Sequence, residues 1–169
     1  MNHWLRRLSL FLVVLAALTL ACSEEVILGP AGTDLAQPTP EIAGERAQVV
    51  RVIDGDTIVV ALDGCEYPVR YVGIDTPERG EPFSQAATDA NEQLVGGAAV
   101  ILVRDISDSD RYDRLLRYVF LPDGTFVNGE LVRLGLAQAK MYRPDVAFND
   151  LLESLESEAR EAGNGMWGR

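Results

Sequence analysis

The stretch Ala47-Gln48-Val49-Val50-Arg51-Val52-Ile53-Asp54-Gly55-Asp56-Thr57-Ile58-Val59-Val60-Ala61-Leu62 decides the fold. Apolar runs over 47–53 and 58–62 flank Asp54-Gly55-Asp56-Thr57, whose Asp-Gly chemistry marks a turn, so two strands in a hairpin are expected. After a second turn at Asp63-Gly64, Tyr67 to Ile74 reads as a third strand. Period-2 alternation puts Val69, Tyr71 and Gly73 on one face and Arg70, Val72 and Ile74 on the other. Ser84 to Val95 has apolar residues at helical spacing and ends at Gly96-Gly97. Strands at Ala98–Val103 and Leu115–Leu121 follow, joined by the polar loop from Asp105 to Tyr112. Two helices, Asn128–Leu134 and Asn149–Ala162, close the pattern. No internal repeat is visible. The expectation is a mainly β chain with helices (α+β): five strands in a small, partly open barrel, one inserted helix and two C-terminal helices. A split α+β sheet is the competing arrangement.

Upstream of the hairpin the chain changes character. Residues 1–21 carry Arg6 and Arg7, then an apolar run from Leu8 to Leu20, and end at Ala21 before Cys22, the layout of a secretory signal peptide. The alternative, a membrane anchor, has an uncharged run near the lower limit of about 17–20 residues for a bilayer span. Thr19-Leu20-Ala21-Cys22 resembles a bacterial lipobox, so Cys22 is the candidate lipidation site and the membrane a candidate partner. An exported product, lipid-anchored at the cell envelope or secreted, is the expectation. Residues 22–46 hold Gly29, Pro30, Gly32, Pro38 and Pro40 without apolar periodicity and read as a flexible tether to a domain at 47–169.

The chain has 169 residues, 26 Asp and Glu against 15 Lys and Arg, and a net charge of -11. That length supplies one ordinary domain. Bulk positive charge is excluded as a source of nucleic-acid affinity. The one histidine is His3 and the cysteines are Cys22 and Cys65, so zinc clusters and histidine-dependent triads lack their parts. Carboxylate, guanidinium, hydroxyl and phenol remain, a set suited to a hard, oxygen-liganded cation and an anionic substrate.

These groups gather at three turns. Asp54-Gly55-Asp56-Thr57 offers two carboxylates around a glycine, which taken alone is a turn more readily than a metal site. Arg70 lies within a strand that ends at Asp75-Thr76-Pro77-Glu78, and an arginine facing apolar neighbours needs an acidic partner. Asp110-Arg111-Tyr112-Asp113-Arg114 leads into a strand that also carries Arg117, and alone reads as a solvated charged loop. In combination, Asp56 and Asp75 leave adjacent strand ends and could share one hard cation. Arg70 and Arg114 are planar forks able to grip phosphate oxygens. Glu78, left over, is a candidate to accept a proton from attacking water.

These motifs resemble the thermonuclease family, the calcium-dependent micrococcal-nuclease-like enzymes. The likeness rests on Val52-Ile53-Asp54-Gly55-Asp56-Thr57, on Arg70 five residues before Asp75-Thr76-Pro77-Glu78, and on Asp110-Arg111-Tyr112-Asp113-Arg114-Leu115. Val127-Asn128, Leu131-Val132-Arg133, Gly135-Leu136-Ala137 and a terminal Met166-Trp167 extend it over about residues 47–168. The resemblance implies an OB-fold barrel that hydrolyses DNA or RNA phosphodiesters with Ca2+, leaves 3′-phosphate ends and prefers single strands. It implies Asp56, Asp75 and the Thr76 carbonyl as metal ligands, Glu78 acting on water, and Arg70 and Arg114 stabilising the transition state. Arg111, Tyr112 and Tyr142 would contact substrate.

Two departures stand out. Asp113 occupies a place where the family usually has glycine, and the segment from Gln138 to Arg143 is about one residue shorter, leaving Lys140 or Met141 where another tyrosine would fall. Residues 47–144 carry 10 basic and 15 acidic side chains, so modest affinity from few phosphate contacts, weakly sensitive to salt, is expected. A barrel that binds nucleic acid or an envelope protein without turnover is the alternative function; loss of a polar site residue would mark it, and none is lost.

Overall fold

The computed structural model describes residues 42–168; the expected signal peptide, Cys22 and nearly all of the expected tether lie outside the described residues. Strand β1 (Glu45–Asp54) turns at Gly55-Asp56 into β2 (Thr57–Leu62), which turns at Asp63-Gly64 into β3 (Cys65–Tyr71). A two-residue strand β4 (Ile74–Asp75) precedes helix α1 (Ser84–Val95). Then come β5 (Ala99–Val103), β6 (Leu115–Phe120), α2 (Val127–Arg133), the short β7 (Gln138–Ala139), α3 (Asn149–Ala162) and a 3-10 turn at Gly165–Trp167. The barrel closes in the order β1-β2-β3-β6-β5, an OB-fold with the expected five strands, inserted helix and two later helices. The split sheet is excluded. β1 begins at Glu45, two residues ahead of the expected domain start.

Closure depends on β1 serving two neighbours. Its first half pairs with β5 through Glu45–Gln48, and its second half pairs with β2. Register shifts between Val49 and Arg51 and between Val52 and Asp54 interrupt the half that pairs with β2. Val50 and Ile53, inside those shifts, point outward at 44% and 41% exposure. The pair β3–β6 is parallel, every other barrel pair antiparallel. Asn128 extends the parallel seam: its Oδ1 accepts the Val119 N–H at 2.9 Å and its Nδ2 donates to the Val72 carbonyl at 2.8 Å. Being fully buried, it must satisfy both bonds inside the protein.

The interior is built from Val49, Ile58, Val60, Val69, Tyr71 and Leu102, and is capped by Leu131 of α2 and Leu152 of α3. Tyr118, Phe120, Phe126 and Phe148 form a second cluster with ring centroids 4.7–6.1 Å apart. One expectation for the third strand fails. The strand stops at Tyr71, and Gly73 takes φ +79°, a conformation that breaks the alternation. Ile74 therefore joins Val69 and Tyr71 in the main core instead of sharing a face with Arg70 and Val72. A side chain at Gly73 would also meet Leu152 Cδ1 at 2.6 Å.

Candidate active site

Gly55 shapes the first wall of the site. A Cβ there would lie 2.8 Å from Ala87 and 2.9 Å from Thr76, so glycine lets the hairpin tip approach both α1 and the segment after β4. Asn91 of α1 reinforces the approach by donating to the Asp54 carbonyl at 2.9 Å and accepting from the Tyr71 hydroxyl at 2.9 Å. Next to the glycine, Asp56 is buried at 6% exposure. Its Oδ2 accepts the Thr76 N–H and the Thr76 hydroxyl, each at 2.9 Å, and lies 2.9 Å from Arg70 Nη1. Burial pushes the Asp56 carboxyl above the usual carboxylate range, and the charge of Asp54 adds to that; Arg70 and the Thr76 N–H pull it partly back.

Arg70 spans two acids. Its other nitrogen, Nη2, sits 2.9 Å from Asp75 Oδ1, while Asp75 Oδ2 meets Lys140 Nζ at 2.7 Å. The partner expected for Arg70 is thus a pair of carboxylates. Glu78 differs from both. Its backbone N–H is fixed by Glu81 Oε2 at 2.8 Å, but its exposed carboxylate has no bonding partner among the described residues.

The opposite wall comes from the loop between β5 and β6. Asp110 organises it, accepting the Tyr112 N–H at 2.9 Å and the Arg114 N–H at 3.1 Å on Oδ1, and Arg114 Nε at 2.8 Å and Nη2 at 2.7 Å on Oδ2. Burial pushes the Asp110 carboxyl up, yet these donors outweigh it and hold the group below its ordinary range. Asp113 adopts φ +59°, the left-handed region that glycine favours, so the loop keeps a glycine-like shape with an aspartate in place. Arg117, grouped with this loop by sequence, is instead buried, tied to Glu45 and Asp108.

Between the walls lies a cavity of about 900 Å³. Six of the expected residues line it: Asp56, Arg70, Thr76, Glu78, Arg114 and Tyr142. Three do not. Asp75 is engaged by Arg70 and Lys140, and Arg111 and Tyr112 sit exposed on the outer loop, the Arg111 Nη2 donating to the Tyr112 hydroxyl at 2.6 Å. The Tyr112 ring lies under both Arg111 (4.7 Å) and Arg114 (5.6 Å), so it packs the arginine pair.

Sequence reasoning missed Asp145. Its Oδ1 accepts the N–H groups of Ile106 (3.0 Å) and Ser107 (2.7 Å), while Asp105 Oδ2 accepts the Ala147 N–H at 2.9 Å. This reciprocal clasp joins the arginine-bearing loop to the segment that carries Tyr142. Its one sequence signal was Pro144-Asp145, which reads only as a turn.

The donor chemistry fits a hard cation. Asp56 and Asp75 are close enough to share one guanidinium, both are oxygen donors, and burial beside Asp54 disfavours the negative charge of Asp56, which a cation would relieve. Among the described residues no group of three or more acidic, histidine or cysteine side chains is gathered to hold a metal by itself. Main-chain oxygen and water would have to complete the shell.

A family model described as staphylococcal nuclease homologue matches residues 68–169. The thermonuclease of Staphylococcus intermedius is 37% identical over 135 residues, covering 76% of this chain and 80% of its own length. The thermonuclease of Staphylococcus hyicus is 36% identical over 126 residues, covering 71% and 74%. An uncharacterized endonuclease of Escherichia coli O157:H7 is 38% identical over 123 residues, covering 72% and 76%.

Proposed function

The chain belongs to the staphylococcal nuclease homologue family, and on that premise we propose that its cleft hydrolyses the phosphodiester bonds of DNA or RNA, preferably single-stranded, with Ca2+. The observation that carries the reading is the meeting of Asp56, Arg70, Glu78 and Arg114 around one cavity from four separate segments. A calcium ion held by Asp56, Asp75 and the Thr76 carbonyl would supply a hard Lewis acid against the phosphate. Asp75 would have to share or release a partner to take part, because both its oxygens are occupied.

Glu78, its carboxylate free and its backbone fixed, takes a proton from water as that oxygen attacks phosphorus. The bond from phosphorus to the 5′-oxygen breaks, the phosphate stays on the 3′ side, and the departing oxygen is protonated from solvent. Arg70, held flat between two carboxylates, and Arg114, aimed by Asp110, offer N–H groups to the equatorial oxygens as charge grows on them. Tyr142 lines the cavity and offers a ring face to a base; Arg111 and Tyr112 reach substrate from the rim. An exported protein, anchored through a lipid on Cys22 or released, completes the proposal and rests on residues 1–22 of the sequence.

The test is incubation of the protein lacking residues 1–22 with end-labelled single-stranded DNA, with calcium or with chelator, reading rate and end chemistry. Calcium-dependent cleavage to 3′-phosphate ends is expected. Binding without cleavage would favour the non-catalytic barrel.

A further inference from the structure

Eight of the twelve basic side chains among the described residues are matched to carboxylates. Leaving Arg46 aside, the exceptions are Arg79, Arg111 and Arg143. Arg111 is bonded to the Tyr112 hydroxyl. Arg79 and Arg143 have no hydrogen bond or ion pair among the described residues, are exposed, and both line the cavity. One follows Glu78 on the wall leading to α1, and the other follows Tyr142 on the segment before α3.

This placement matters because the protein is acidic, with a net charge of -11. An arginine in such a chain has carboxylates in excess to choose from. The two arginines assigned to the reacting phosphate are already neutralised, Arg70 by Asp56 and Asp75, Arg114 by Asp110. Their bonds can strengthen in a transition state, but they contribute little net attraction to an incoming polyanion. Ground-state affinity for nucleic acid is dominated by cations that neutralise phosphates. The uncommitted charges of the cavity are the ones available for that work.

We propose that Arg79 and Arg143 are phosphate-binding residues that grip the backbone on either side of the scissile phosphate, making the preferred substrate a polynucleotide several residues long. The inference rests on the nuclease reading and extends it to substrate length. Each contact is a charge contact to phosphate, carrying no base preference. Lysine at either position should retain much of the effect.

The experiment compares the parent with Arg79→Gln, Arg143→Gln and the double variant on a dinucleotide and on an oligonucleotide of about 20 residues, over 50–200 mM salt. Arg51→Gln, outside the cavity and paired with Glu66, is the charge control. Both test positions are exposed and unpaired, so the variants should melt with the parent. On the longer substrate each variant should raise KM about threefold to tenfold at unchanged kcat, and the double variant should lose most of the parent's preference for length. The slope of log KM against log salt should flatten by about 0.7 per arginine removed. KM on the long substrate equal to that of the parent, or raised equally on the dinucleotide, would overturn the assignment while leaving the nuclease reading intact. A parent that cleaves neither substrate would remove both.

Discussion

Replacing Asp145 by alanine should loosen the arginine-bearing loop against the Tyr142 segment while removing none of the side chains assigned to the phosphate; the bond from the Ala147 N–H to Asp105 remains. Asp145 is 5% exposed and holds two backbone N–H groups, of Ile106 and Ser107, at 3.0 and 2.7 Å. A hydrogen bond to an ionised acceptor contributes about 1.5–3 kcal/mol. The loop is partly exposed and water can replace part of each bond, so the combined loss should be about 2–3 kcal/mol. At about 4 °C per kcal/mol for a domain of this size, Tm should fall by about 8–12 °C. Asparagine keeps an acceptor oxygen and should recover more than half of that.

Acidity gives a second signature. Burial pushes the Asp145 carboxyl up, but the Ser107 and Ile106 donors outweigh it and hold the group below its ordinary value. The native pKa is therefore lower than the unfolded one, and the stabilisation is whole above the unfolded value of about 3.9. It is lost as pH falls through the native value. In calorimetry or circular-dichroism melts, the gap between parent and Asp145→Ala should be constant from about pH 5 to 8 and narrow below about pH 4. Kinetically, the alanine variant should raise KM more than it lowers kcat. An alanine variant melting within about 2 °C of the parent, or a gap indifferent to acid, would refute the clasp.

Glu78→Gln should lower kcat by about 10²–10⁴ with Tm unchanged, since the side chain is exposed and unbonded; single-turnover cleavage alongside a melt decides it. Arg70→Lys should cost both activity and stability, because a point charge cannot span Asp56 and Asp75 and Asp56 then lies buried with a poorer partner; a loss of about 2–4 kcal/mol by denaturant titration is expected. Calcium at 100 times its Kd should stabilise the protein by about 2.7 kcal/mol, and Asp56→Asn should abolish that increment in melts with and without chelator. Asp113→Gly should leave kcat within about twofold, because Asp113 already holds the backbone shape glycine would adopt.

Much of the site was legible before any coordinates. Asp-Gly turns, the break at Pro77 and the glycines after the helices are local signals, and the turn that carries Asp56, the strand that carries Arg70 and the segment that carries Glu78 before the helix follow from them. Other features were not legible, because they pair residues far apart in the chain. Lys140 meets Asp75 across 65 positions, and Asp145 meets Ser107 across 38. Arg117 looks like its neighbour Arg114 in sequence, yet one is buried against Glu45 and the other lines the cleft. Ile74 was assigned to the wrong face because period-2 alternation assumes an unbroken strand, and Gly73 breaks it.

The sequence by itself determined most of the element types and the kinds of group available for chemistry, since backbone propensity, turn chemistry and residue inventory are local properties, but it left the barrel and the split sheet both open. Only the tertiary structure decided which cations are spent on carboxylates and which remain for an anion. That distinction depends on distances of about 3 Å between side chains, some of them far apart in the chain, as Arg117 and Glu45 or Lys140 and Asp75 are, and electrostatic pairing at that range is insensitive to how far apart two residues lie along the chain.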